Sequence, residues 1–528
     1  MLLKSKYIFY TFFFITSCIF SQQFRDASNY SDLNIHQNNN GVAVADYDQD
    51  GDLDIFIVGS FSDENNSQSW SKLLQNTNNG NFIDVTINSG IDQNLNHEIN
   101  ENIVFLDLQE DFGDRLSASW GDFNNDSYPD LFLGNSVQSQ LYQNNTDGTF
   151  SNITEQSGLP VECETCYITS ALWLDYNLDG FLDLFITDYN SNSNNKLYKN
   201  LGNGVFENID LSSVIDSSNS FSSIPIYAND DNYPDIYITN DFDYNNMLLI
   251  NQQGNGFIEQ AEFYNLQDPY DGMGLATSDF NNNNQFEILV TNIKENSFYI
   301  NQIINDEYVN ISEDVGIYDT DWAWGANFSD FNHDGFEDLF IVNGFSVDQE
   351  NEYFVNISSD PQSNQSRKFS KANPLEEQVE LSNSRSLVSF DYDNDGDLDL
   401  VISNFDSTLI FYENKAIDSY FSSQDQGNWI KVDLKGTISN SDALGAVVEI
   451  YQENGSHQSR LYHGSSYQNQ SIQPIHFGLN NINSIDSLAV TWPNTGRQIY
   501  ENININSSIT IVENEGVIEN DNNTSSKI

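Results

Sequence analysis

Asp46-Tyr47-Asp48-Gln49-Asp50-Gly51-Asp52-Leu53-Asp54 returns almost letter for letter at Asp391-Tyr392-Asp393-Asn394-Asp395-Gly396-Asp397-Leu398-Asp399. Acidic or amide side chains stand at positions 1, 3 and 5, glycine at 6 and a carboxylate at 9. Three further copies keep the pattern: Asp122/Asn124/Asp126/Asp130, Asp175/Asn177/Asp179/Asp183 with Gly180, and Asp330/Asn332/Asp334/Asp338 with Gly335. Two are degraded. One, Asp279/Asn281/Asn283/Glu287, keeps the spacing with less charge; in the other, Tyr227 replaces the first Asp ahead of Asn229, Asp231 and Asp235. The first positions are 46, 122, 175, 227, 279, 330 and 391, so successive separations are 76, 53, 52, 52, 51 and 61. A repeat of this length marks an array in which each copy is one supersecondary unit.

The flanks of the copies agree as well. A short apolar or small-residue run precedes each, as in Val42-Ala43-Val44-Ala45 or Ala171-Leu172-Trp173-Leu174, and a strand such as Ile55-Phe56-Ile57-Val58 or Leu184-Phe185-Ile186 follows. These are the arms of a β-hairpin with the acidic loop at its tip. A second strand pair follows in most units, at Leu141-Tyr142-Gln143-Asn144 with Gly148 to Ile153, and at Leu197-Tyr198-Lys199-Asn200 with Gly204-Val205-Phe206. Seven units of four short strands predict an all-β chain whose residues 23–415 form a seven-bladed β-propeller, an architecture that removes exposed sheet edges by radial closure. Phe24-Arg25-Asp26-Ala27-Ser28 resembles Phe82-Ile83-Asp84-Val85-Thr86 and is expected to complete the last blade beside Leu409-Ile410-Phe411-Tyr412. The longest inserts are read at about 60–70, 92–118 and 346–386.

Oxygen ligands at alternate positions of a tight loop converge on one hard cation, and Ca²⁺ accepts roughly 6–8 oxygens. The expectation is a side chain from positions 1, 3, 5 and 9 and a carbonyl from position 7, giving about five Ca²⁺ sites in the full copies and a sixth at the Asp279 loop. Mg²⁺ fits less well because it prefers a smaller octahedral shell. An EF-hand is excluded: its loop needs Glu at position 12, and here that position is Ile57, Leu133, Ile186, Ile341 or Ile402. The plainer alternative is a set of hydrated turns, since Asp, Asn and Gly favour turns on their own account.

Composition supports the cation reading. With 18 Lys+Arg against 79 Asp+Glu, the formal net charge is −61, which repels nucleic acid and anionic membranes. Aromatic residues at 13% are too abundant for a disordered acidic chain. Lys4 and Lys6, an apolar run from Tyr7 to Phe20 and polar Ser21 to Gln23 follow the order of a secretory signal peptide over residues 1–22. Export, to the cell surface, the periplasm or the exterior, is the expectation, with no transmembrane segment. Ile15-Thr16-Ser17-Cys18 loosely resembles a bacterial lipobox, although Ile19 and Phe20 after the Cys are unusual there. Outside the cytosol Cys163 and Cys166 are expected to form a local disulfide; a redox or zinc role is the alternative, and zinc would need two further ligands.

The seven spaced loops resemble the FG-GAP/VCBS repeats that also build the integrin α-subunit propeller; the resemblance covers roughly 24–415 and implies calcium ions that are chiefly structural. After a linker at 416–427, Trp429 to Gly436, Ile475-His476-Phe477-Gly478-Leu479 and Trp492-Pro493-Asn494-Thr495-Gly496 resemble the ASPIC/UnbV domain that follows such propellers in bacterial exported proteins and in cartilage acidic protein. That resemblance covers about 428–513 and implies a small β-sandwich-like domain. The glycine-rich middle of that family is replaced here by Tyr462-His463-Gly464-Ser465-Ser466-Tyr467, and residues 514–528 are read as a flexible tail.

No catalytic residue is assigned. Among His36, His97, His333, His457, His463 and His476 there is no His-x-x-x-His pair, and no Gly-x-Ser-x-Gly elbow or phosphate loop exists in the sequence. His333 is read as a solvated turn residue and His476 as packed in a strand. The reading is an exported calcium-binding propeller acting as a binding, adhesion or scaffold module for an extracellular protein or glycan. The alternative is an exported polysaccharide lyase or glycosidase, for which carboxylate pairs are too abundant to be diagnostic.

Overall fold

A computed structural model describes residues 24–28, 36, 37, 39–59, 71–77, 80–91, 115–135, 139–159, 167–190, 194–215, 219–229, 231–242, 244–268, 270–302, 307–345, 349–360, 363–374, 381–405, 407–415, 427–452 and 455–519. The signal peptide, Cys18, Cys163, Cys166, His97 and residues 60–70 and 92–114 lie outside these residues.

The chain forms a β-propeller. Among the described residues its strands pair in seven four-stranded antiparallel units, six of them running from innermost to outermost strand in sequence order and the seventh taking its outermost strand from the N-terminal end. In the first unit these are Asn39–Ala45, Asp54–Gly59, Lys72–Asn76 and Phe82–Asp84. The innermost strands of the later units are Arg115–Gly121, Ile168–Leu174, Asn219–Ile226, Gly272–Ser278, Asp319–Ser329 and Ser384–Phe390. They lie side by side in a ring, the last packing beside the first. Each carries a register shift near its start, a bulge that adds the twist a radial strand needs.

Strand alternation explains how the units stick together. Side chains along a strand point alternately to its two faces. Val42 and Val44 pack towards the seventh unit with Val388, Phe390 and Phe411, whereas Ala43 and Ala45 pack towards the second with Ala118, Trp120 and Leu131. Both faces of each inner strand are therefore dry. Closure is as the sequence predicts: Phe24–Asp26 pairs with Ile410–Asn414, with Phe24 opposite Asn414 and Asp26 opposite Tyr412.

Two of the expected inserts are smaller than read. Residues 115–118 belong to the innermost strand of the second unit, and 346–386 contains the outer hairpin of the sixth, Glu352–Asp360 paired with Ser363–Ala372. The outermost strand has one wet face, so its polar run hides it from an apolar pattern search.

The C-terminal region consists of two four-stranded sheets. One orders Ile475–Asn480, Asn428–Lys435, Ser508–Val512 and Gly516–Glu519; the other orders His457–Leu461, Val447–Gln452, Ile485–Trp492 and Gly496–Tyr500. Ile430, Val432, Val448, Leu488, Phe477 and Ile511 belong to their apolar filling. Residues 514–519, read as tail, are instead a turn and an edge strand paired to Ser508–Val512.

Between these sheets and the propeller, the segment from His463 to Gln473 runs into the central channel. Ser471 Oγ accepts from Val44 N at 3.1 Å in the first unit, and Gln468 O accepts from Ala118 N at 3.2 Å in the second. Gln470 brackets Trp173 of the third, accepting from its N–H at 2.7 Å and donating to its carbonyl at 3.1 Å. The Tyr467 ring lies 6.0 Å from Phe221 of the fourth unit and 5.4 Å from Trp324 of the sixth. His463 Nε2 meets Thr277 of the fifth at 2.9 Å, Ser466 Oγ donates to Ala326 O of the sixth at 3.2 Å, and Asn469 donates to Ser386 Oγ of the seventh at 2.7 Å. One eleven-residue segment thus touches all seven units. Gly464 permits its reversal, at φ +63, where a Cβ would lie only 1.9 Å from Ser471 O.

His463 Nδ1 accepts from Ser465 N at 3.0 Å, so its proton sits on Nε2 and is donated to Thr277. Burial holds its pKa down at about 4. The unfolded chain binds a proton there that the folded chain refuses, so this group's contribution is intact above about pH 6.5 and lost as pH falls towards 4, by about 3 kcal/mol in all. Denaturant titrations of the wild type and His463→Gln at pH 7 and pH 5 should show the smaller acid loss in the variant; equal losses would reject the assignment. Tyr467→Ala should cost about 3–5 kcal/mol, as large aromatic truncations in cores do, and calorimetry should still give one transition for propeller and C-terminal sheets together.

Candidate metal centres

The acidic loops share one hydrogen-bonded frame. Asp46 at position 1 accepts from the N–H of Asp50 at 3.1 Å and of Gly51 at 3.0 Å, one on each carboxylate oxygen. Asp122, Asp175, Asp279, Asp330 and Asp391 repeat this with the residues four and five positions on. Position 4 takes a positive φ in the same six copies, from 56° to 61°, which tightens the turn. At position 3, Asn124, Asn177, Asn229 and Asn332 accept from the N–H two residues later at 2.9 Å. The frame survives the degraded copies. In the Tyr227 loop Asp235 still accepts from Ala228 N at 3.0 Å, but the first acid is gone and the Tyr227 hydroxyl donates to Gly445 O at 2.9 Å.

The loops thereby gather like charges out of water. Carboxylate oxygens of Asp46, Asp48 and Asp54 lie within 4.8 Å of one another, as do those of Asp391, Asp393 and Asp395, and either set could hold a metal ion. Burial first, then the neighbouring carboxylates, pushes Asp54 up to about 9 and Asp393 to about 7. Burial raises Asp46 and Asp175 to about 7 and Asp279 to about 6, partly offset by their backbone N–H donors. Asp130, Asp183, Glu287, Asp338 and Asp399 are driven well up by burial, with neighbouring carboxylates adding to it. Each of these shifts favours the protonated acid over the charged one, and a cation among the carboxylates would act in the opposite direction.

The expected convergence of positions 1, 3, 5 and 9 is not equally developed in every copy. Among the described residues, three acids meet only in the first and last loops. Position 5 is exposed in five copies, at Asp50 and Asp395 of the first and last loops as well as at Asp126, Asp179 and Asn283. Each turns an oxygen to the N–H two residues on, as Asp126 does to Tyr128 at 3.0 Å, Asp179 to Phe181 at 3.2 Å and Asn283 to Gln285 at 2.8 Å. Asp179 is also paired with Lys199 at 3.2 Å, so a cation there would compete with an ammonium. Asn281, at position 3 of the fifth loop, is half-buried and stands outside the shared frame, because the N–H of Asn283 goes to Asp279 at 2.7 Å. The difference between the copies lies at position 3: the carboxylates Asp48 and Asp393 join a cluster of acids, whereas the amide oxygens of Asn124, Asn177 and Asn332 accept from the backbone N–H two residues on. Asp334 differs from Asp126 and Asp179 in being half-buried, and burial raises it to about 6.

An asparagine that the loop pattern does not include joins six of the loops to the one before. Its backbone N–H donates to the ninth-position carboxylate, as Asn200 does to Asp183 at 2.7 Å. Its side-chain amide donates to the second-position carbonyl of the preceding unit, as Asn200 does to Phe123 O at 2.8 Å. Asn76, Asn144, Asn251, Asn356 and Asn414 do the same. The signal was present in the sequence as the Asn closing Leu141-Tyr142-Gln143-Asn144 and Leu197-Tyr198-Lys199-Asn200.

The loops are not free tips, because the C-terminal sheets cover them. Ser441 Oγ donates to Asp122 Oδ2 at 2.6 Å, and Asp442 accepts from Asp122 N at 2.7 Å. Lys431 Nζ lies 2.6 Å from Asp391 Oδ2, with both side chains buried. Asn494 donates to Leu178 O at 3.1 Å, and Arg460 pairs with Glu337 at 2.9 Å. His333, read as solvated, is 1% exposed; its Nδ1 lies 3.2 Å from Gly427 O and its ring 5.0 Å from that of His476. Burial lowers it to about 4. His476, in its strand as expected, has Nε2 3.0 Å from Gly396 O.

Residues 122–186 match the FG-GAP-like repeat family and residues 436–518 match ASPIC and UnbV. Both matches are local, each to part of the chain. Cartilage acidic protein 1 of Mus musculus is 27% identical over 47% of this chain and 38% of its own length, and that of Homo sapiens 25% identical over 49% and 38%. The chain therefore spans well under half the length of these relatives. A solved structure of BBS1N in complex with ARL6DN aligns with 74% of this chain and 96% of its own at 11% identity and a TM-score of 0.42. Among the described residues no helix is long and apolar enough to cross a membrane.

Asn200→Ala removes a donor from two buried carbonyls, Phe123 O and Leu182 O. It should cost about 1–3 kcal/mol in equilibrium unfolding, the usual penalty for stranding a buried polar partner; no measurable change would reject the linking role.

Proposed function

We propose that this chain is an exported, calcium-binding propeller that serves as a rigid binding or scaffold module for an extracellular protein or glycan. The observation that carries the reading is the loop chemistry. Asp48 Oδ1, Asp130 Oδ2 and Asp393 Oδ1 are buried oxygens with no hydrogen-bond partner among the described residues, each inside an acidic loop. A buried anionic oxygen left unpaired is costly, and a hard divalent cation is the partner it suits. Positions 1, 3, 5 and 9 of the five full copies, and of the Asp279 copy, would hold it: Asp46, Asp48, Asp50 and Asp54 in the first, Asp391, Asp393, Asp395 and Asp399 in the last. Exposed Asp126 and Asp179 would close their loops over the ion from the solvent side. The Asp279 copy, with Asn281 and Asn283 as neutral donors, would be the weakest of the six.

Calcium so held would neutralise the repulsion inside each loop and, through the asparagines, stiffen neighbouring units together. Export is supported by the N-terminal charged, apolar and polar order and by the large negative charge, which suits a calcium-rich exterior. The module reading is supported by the closed frame and by the absence from the sequence of an established catalytic motif.

With site constants of about 10⁻³–10⁻⁴ M, 10 mM calcium should add roughly 1.4–2.7 kcal/mol per loop. Thermal melts in 10 mM calcium and in EGTA, with metal counted by elemental analysis, should show a clear upward shift and about five ions per chain. Asp46→Ala should lose one ion and part of the shift. Identical melts together with no bound metal would reject the proposal.

A further inference from the structure

The two degraded loops are neighbours in the ring, and both face one cleft. It lies between the fourth and fifth units and the second C-terminal sheet, with a volume of about 550 Å³. That is within the range of small-molecule sites, which favour domain interfaces. The substitutions that remove charge from these loops supply its walls. Tyr227, standing where the other loops have Asp, holds one side open through its strut to Gly445 O. Asn284, standing where Gly is usual, faces Glu449 at 3.4 Å on the other.

The lining combines aromatic rings with amides. Phe286, Tyr227 and Trp492 contribute rings, and Asn229, Asn284 and Gln285 contribute amides. No lysine or arginine lines it among the described residues. Of its two carboxylates, Glu449 is already paired with Arg497 and accepts from the Tyr451 hydroxyl at 2.7 Å. Ser459 Oγ, on a residue 1% exposed that lines the cleft, has no hydrogen-bond partner among the described residues. Rings offer flat apolar faces, and amides offer donor and acceptor side by side. A ligand with apolar ring faces edged by hydroxyls satisfies both, whereas an anion would meet carboxylates without a cation.

We propose that this cleft binds an uncharged oligosaccharide, its sugar rings against Phe286 and Tyr227 and its hydroxyls on Asn229, Asn284 and Ser459. The proposal rests on the binding-module reading and narrows the ligand class and the place.

The test uses the full chain in calcium, screened on an array of neutral and uronate-containing oligosaccharides, with hits quantified by calorimetry. Neutral sugars should bind. Phe286→Ala and Asn229→Ala should each weaken binding about tenfold or more while leaving the calcium-dependent melt unchanged. Ile87→Ala, on an exposed turn of the first unit, should leave binding intact. Binding confined to acidic sugars, no binding by the folded calcium-loaded protein, or full binding by both cleft variants would each overturn the cleft proposal. The calcium melt separates these outcomes from failure of the module reading: a protein that keeps its calcium shift but binds elsewhere sinks the cleft alone.

Discussion

The ninth-position carboxylate of a loop accepts an N–H from the asparagine ending the third strand of its unit, and that asparagine reaches back to the loop before. In Asp183 the acid also holds its own loop, accepting from Tyr176 N at 3.3 Å beside Asn200 N at 2.7 Å. Neighbouring sheets meet largely through side chains, with backbone pairing between the fifth and sixth at Ile293 and Trp322, and these polar links help fix the angle at which one unit meets the next. They also place the carboxylate among other acids in a dry setting, where its charge has to be offset. The geometry that orders the ring therefore also favours a proton or a cation at this acid. Where Tyr227 removes the first acid of a loop, that loop is braced by a phenol strut to the C-terminal sheets.

Hydrophobic packing and polar linkage divide the labour. Alternate residues of each inner strand serve two neighbours, so no unit has a core of its own and stability belongs to the ring. The His463–Gln473 segment adds a common axis. Its donors and acceptors meet groups on the inner strands, among them Ser386 and Thr277.

Much of this was legible in the sequence. Asp, Asn and Gly at fixed offsets gave the loop frame, since their side chains bond the backbone locally, and the period gave the number of units. The closing strand at Phe24 was legible because it copies Phe82 to Thr86. Spacing alone treats Asp and Asn at position 3 as equivalent, whereas among the described residues only the copies with Asp48 and Asp393 there bring three acids together. What else escaped depends on distant partners. Polar Ser363–Ala372 pairs as an outer strand only because Glu352–Asp360 lies beside it. Nothing in Tyr462 to Tyr467 announces a channel, because its partners, among them Thr277, Phe221, Trp324 and Ala326 O, lie on separate units far off in sequence. His333 looks solvated in its own loop and is buried by residues from Gly427 onwards.

The ring's seam joins Phe24 to Asn414, and its axis is filled by residues beyond 460. During synthesis the ribosome has delivered all seven innermost strands before either becomes available. Contacts of such long sequence separation form slowly, so a nascent chain would wait with an open seam and an empty bore. Residues that emerge after 460 are thus the ones that lock the shape.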